Sequence, residues 1–115
     1  MHVSDLDGDS QWVGHGFKWT ADVTITVVDG SGAAVANATV EDSLSGGFDG
    51  AATCVTDASG ICTVTIDKIR SRDTTVSFAV NKIIHDSLTY RSDDNNDPEG
   101  DSNGANITVN RPPTP

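Results

Sequence analysis

Cations are scarce in this chain: seven Lys and Arg stand against seventeen Asp and Glu, for a formal net charge of −10 at pH 7. A field of that sign repels phosphate backbones and anionic headgroups alike, so neither nucleic acid nor a membrane surface is an expected partner. Long apolar runs are missing too. None approaches the roughly 20 residues needed to span a bilayer, and Met1 is followed by polar residues rather than by a basic and then apolar leader. An export signal is therefore expected to belong to a longer parent chain. Histidine is limited to the scattered His2, His15 and His85. No Gly-x-Ser-x-Gly elbow, His-Glu-x-x-His pair or phosphate loop accompanies them. Carboxylates are abundant, but they cluster in polar segments that would leave both members of an acid/base pair ionised. No catalysis is expected.

Cysteine is reduced to Cys54 and Cys62. Between them Asp57-Ala58-Ser59-Gly60 is a turn signal with β-formers on either side, so the two sulfurs can meet across neighbouring strands of a hairpin. Such a bridge implies an oxidising, extracellular compartment. The alternative is a pair of buried free thiols in a reducing one.

Among the residues present, Val, Ile and Ala dominate the apolar set and Thr and Ser fill the positions between them, which suits half-buried strands better than helices. In Lys18 to Val28, Trp19, Ala21, Val23, Ile25 and Val27 share one face and Thr20, Asp22, Thr24 and Thr26 the other. Weaker alternation marks strands at Ala38 to Leu44, Ala51 to Thr56, Ile61 to Asp67 and Thr74 to Ile83, a short one at Leu88 and Tyr90, and a last at Ile107 and Val109. About seven short strands separated by turn residues predict an all-β, antiparallel two-sheet sandwich occupying residues 1–111, with 112–115 as a Pro-rich tail. One domain is expected at a length of 115 residues.

Two acidic, glycine-containing segments stand out, Asp5-Leu6-Asp7-Gly8-Asp9 and the run from Asp93 to Gly104. Calcium takes six to eight hard oxygen donors, and alternating Asp or Asn on a bent loop can supply several. Neither segment is an EF-hand, since Ser10 and Gly16 occupy the positions where the first would need Gly and Glu. With strands alternating simply up and down, both segments fall at one end of the sandwich. Asp5, Asp7, Asp97 and Asp101 are the expected Ca2+ ligands, with Asp9 and Asn103 as further ones; surface carboxylates that merely solvate loops are the plain alternative. The same parity brings Phe48 and Asp49, and Arg70 and Arg72, to that end as a ligand-facing rim. Trp19 is expected in the core.

Taken together, MHVSDLDG, TADVTITVVDGSGAAVANATV, CVTDASGICTVTI and DDNNDPEGDSNGANITVNRP resemble the bacterial immunoglobulin-like module appended to secreted hydrolases, over nearly the whole chain. Leu44 departs from that pattern, standing where a tryptophan often precedes the paired glycines. The resemblance implies an immunoglobulin-like β-sandwich that accompanies the catalytic domain of a parent chain. On this reading the chain is a secreted, monomeric, calcium-stabilised accessory module, and its active role is binding a polysaccharide. A structural spacer and a protein-binding adhesion module are the alternatives.

Overall fold

The computed structural model describes residues 1–13, 18–46, 49–91, 95 and 105–112. They form an all-β, antiparallel fold of seven strands in two sheets. β1 (His2–Val13), β2 (Lys18–Val28) and β5 (Ile61–Arg70) make a three-stranded sheet in the order β1-β2-β5. β3 (Thr39–Gly46), β4 (Gly50–Val55), β6 (Thr75–Ile84) and β7 (Asn106–Asn110) make a four-stranded sheet in the order β4-β3-β6-β7.

β2 follows its alternation as expected. Trp19, Ala21, Val23, Ile25 and Val27 are all buried, and they meet Val64 and Ile66 of β5, Val76 and Phe78 of β6, and Ile107 and Val109 of β7 in one core. The inward residues of both sheets thus share a single apolar interior, which is what stabilises a domain of this size.

Two elements differ from the sequence reading. The first acidic segment lies inside a strand, β1, rather than in a loop. Val3 and Leu6 are both fully buried, although three residues apart they fit no period of two. A bulge between Val3 and Asp5 inserts one residue and restores the phase. Beyond it Gly8 faces inward: a Cβ there would lie 2.9 Å from Val109 Cγ2 and 3.4 Å from Ile107 Cδ1. The missing side chain lets β1 close over β7.

Conversely, Leu88 and Tyr90 belong to no strand. The chain after β6 is instead pinned to the start of β1: the Met1 amino group donates to the Thr89 carbonyl at 2.8 Å, Arg91 N–H donates to the Met1 carbonyl at 2.8 Å, and Val3 N–H donates to Asn95 Oδ1 at 2.8 Å. With a strand added at the front and one removed near the back, the long β6–β7 connection emerges at the opposite end from the β3–β4 and β5–β6 connections.

The disulfide forms between Cys54 and Cys62, with Cα atoms 5.8 Å apart. It does not clamp a ladder of one sheet, because β4 and β5 are edge strands of different sheets. The turn between them is fixed by Asp57, whose Oδ1 accepts from Ser59 N–H at 2.8 Å and from Ile61 N–H at 3.1 Å. At Gly60, φ is +76° and a Cβ would sit 2.6 Å from the Val27 carbonyl oxygen. Replacing Gly60 by Ala combines left-handed backbone strain with a backbone clash. It should cost about 2 kcal/mol or more, read as a lower urea midpoint at unchanged slope.

Candidate binding site

One end of the molecule carries the termination of β1, the start of β2, the β3–β4 connection, the β5–β6 turn and the end of β7. Across β2 and β5, Trp19 lies opposite Ile69 and both are buried, so the next pair, Lys18 opposite Arg70, points outward. The β5–β6 turn between them is held from several sides. The buried Trp19 indole donates from Nε1 to the Arg70 carbonyl at 3.2 Å and to the Asp73 carbonyl at 3.0 Å. Asp73 N–H closes the turn onto the Arg70 carbonyl at 3.0 Å. Just past β7, Arg111 donates through Nη1 to the Ser71 carbonyl and through its backbone N–H to the Thr74 carbonyl. Its guanidinium stands 5.9 Å from the centroid of the Trp12 ring. Both tryptophans of the chain therefore brace this turn, directly or through Arg111.

The cations follow the same geography. Of the seven Lys and Arg, Lys18, Lys68, Arg70, Arg72 and Arg111 gather at this end. Only Lys82 and Arg91 lie towards the other. Arg70 Nε pairs with Asp73 Oδ2 at 3.2 Å while remaining largely exposed. Among the described residues neither Lys18 nor Arg72 takes a partner, and both are exposed. Asp49, also exposed, precedes β4 at the same end. Asp49, Arg70 and Arg72 thus lie at one end of the fold; Phe48 lies outside the described residues.

A second feature was not foreseen. The outer face of the four-stranded sheet holds a shallow groove of about 280 Å³ lined by Ser43, Ser45, Ser77, Ala79, Asn106 and Thr108. Cross-strand pairing sets Ser45 beside Ser77 and Ser77 beside Thr108, and Ser43 beside Ala79 and Ala79 beside Asn106. Ser43 Oγ donates to Asn81 Oδ1 at 3.2 Å. Every lining side chain that faces out is small and uncharged, on a protein of net charge −10. The outward Ser and Thr of β3, β6 and β7 were the available signal.

No family model, curated protein or solved structure matches the chain.

The acidic residues are arranged differently from a calcium loop. Asp5, Asp7 and Asp9 occupy alternate positions of β1, opposite Thr26, Thr24 and Asp22. Alternate strand residues are roughly 6.5–7 Å apart, so these three cannot converge on one ion by themselves. Among the described residues no three His, Cys, Asp or Glu form a group able to hold a metal. Asp97, Asp101 and Asn103 lie outside the described residues.

Two further carboxylates have shifted titrations. Hydrogen bonds from Ser31 and Ala33 hold Asp29 below its ordinary value in an exposed turn. Asp42 goes the other way. It sits on the inward face of β3 between Val40 and Leu44, is 2% exposed, and neither carboxylate oxygen has a hydrogen-bond partner. Burial, and secondarily the charge of Glu41, push it up to about 7.

Proposed function

We propose that this chain is a non-catalytic, polysaccharide-binding accessory module of immunoglobulin-like sandwich type, working outside the cell. The observation that carries the reading is the neutral groove over β3, β6 and β7. Hydroxyl and amide side chains exchange hydrogen bonds with sugar hydroxyls, and the small residues Ser43, Ser77 and Ala79 leave room for a pyranose ring to approach the sheet. The sandwich type is supported by the strand order and the single core shared by both sheets. The extracellular setting is supported by the disulfide.

The reading is tested by affinity electrophoresis through gels containing soluble polysaccharides. Retardation by at least one polymer is expected. Ser77→Glu, an exposed strand position in the groove, should weaken that interaction by about tenfold or more with an unchanged melting temperature. A protein that no polysaccharide retards, or a Ser77→Glu variant that is retarded equally, would remove the groove as the site and favour a spacer. Melts with calcium and with chelator, run alongside, show whether a metal stabilises the fold.

A further inference from the structure

Resting on the polysaccharide reading, we infer that the sugar polymer bound carries carboxylate groups, and that Lys18, Arg70 and Arg72 at the basic end receive them. On a chain so rich in acid, random placement would scatter the few cations, yet most are collected around one turn. Lys18 and Arg70 lie directly opposite on neighbouring strands, an arrangement of like charges that destabilises a sheet. Asp73 offsets part of it through Arg70. An anion seated between the two would offset the remainder.

The turn is also too well fixed for an idle surface loop. Trp19, Asp73 and Arg111 determine its backbone, so Arg72 is presented from a pre-organised position. A guanidinium fork matches the two oxygens of a carboxylate. The groove opens on the outer face of the other sheet, but Ser45, Ser77 and Thr108 lie within two residues of the ends of their strands on this side, so a polymer that reaches both passes over the end of the sandwich, where Arg72 stands in the β5–β6 turn. Nucleic acid fits less well. The whole-molecule field opposes its dense charge, Trp19 is buried, and the guanidinium of Arg111 lies over the Trp12 ring, so neither indole is offered to a base.

The test is titration calorimetry with oligogalacturonate, with its methyl ester, which keeps the backbone and removes the charge, and with a single-stranded DNA oligonucleotide. Oligogalacturonate is expected to bind about tenfold tighter than the ester, and to lose roughly tenfold in affinity between about 50 and about 200 mM salt. The double variant K18Q/R72Q should remove most of that difference, and Lys82→Gln, at the far end, should not. Equal binding of acid and ester, or a double variant indistinguishable from the parent, overturns the inference while the polysaccharide reading survives. Failure of every sugar polymer overturns both, and DNA binding as tight as oligogalacturonate overturns the assignment to a glycan.

Discussion

Asp42→Asn should leave the protein's stability near pH 4 little changed relative to the parent and make it markedly the more stable of the two at pH 8. The parent carboxyl is raised from its ordinary 3.8 to about 7 in the folded protein. Below pH 4 it is protonated in both folded and unfolded chains, and its full contribution to stability is present. As pH rises the unfolded chain releases the proton first, so stability falls across the window from about 4 to about 7 and is lower by roughly 4 kcal/mol above it. That is a large part of the 5–15 kcal/mol typical of a whole domain.

The surroundings make the assignment specific. Asp42 pairs with Ala52 of β4 and Val80 of β6, and the inward residues of β2 and β5 across the core are apolar. The nearest charges, Glu41 and its cross-strand partner Lys82, lie on the other face of the sheet. Urea titrations of parent and variant at steps between pH 4 and 8 isolate this residue from the other carboxylates. Parallel curves would show that Asp42 does not titrate in this range. A gap that opens with rising pH is the expected result.

The second large effect is expected from the disulfide. Cys54 and Cys62 close a short loop, separated by 8 positions in sequence. The entropy removed from the unfolded chain is worth about 2.5 kcal/mol, equivalent to roughly 10 °C in melting temperature for a chain of this length. Its position adds a structural consequence. Because β4 and β5 edge different sheets, the bridge is a second covalent tie along that flank of the core, beside the turn that joins them. Reduction and alkylation should therefore lower the urea midpoint and raise hydrogen exchange first in β4 and in the turn at Asp57. A loss below about 1 kcal/mol would mean that packing of Val64 and Ile66 against the opposite sheet already holds the flank closed.

The strands that the sequence disclosed are those with uninterrupted alternation. Lys18 to Val28 reads cleanly because five apolar residues keep one phase, and its neighbours at Ile61 and Thr75 do so over their first residues. β1 was hidden by its bulge, which puts Val3 and Leu6 on the same side at a three-residue spacing that no strand template matches. Its alternating aspartates then resembled loop chemistry. Leu88 and Tyr90 misled in the opposite way, since two residues two apart satisfy a strand template by chance. Together these put the end of β6 and the start of β7 at the other end of the molecule from the one expected.

The bridge between Cys54 and Cys62 was legible, but the sheets it joins were not: the same turn chemistry at Asp57 to Gly60 serves a hairpin and a sheet-to-sheet crossing equally. The basic end was partly legible, through Arg70 and Arg72. The groove was not, because Ser and Thr on an outward face read as ordinary strand filler. Asp42 left a trace, an acidic residue in the inward phase of Val40 and Leu44, which composition alone does not separate from a surface carboxylate.

Among the described residues β1 ends one sheet, and no described strand pairs with its outer edge. An open edge of that length is a template on which another chain can polymerise. Asp7 and Asp9 lie on the face of this strand turned away from the core. Two copies approaching edge to edge would bring their carboxylate rows within the roughly 4.8 Å spacing of paired strands. Repulsion between those rows would oppose fibre-like self-association, a role separate from any metal the aspartates hold. Acid relieves the burial of a charged Asp42 and weakens any repulsion between carboxylate rows, so the pH that suits the buried carboxylate is not the pH that best keeps copies apart.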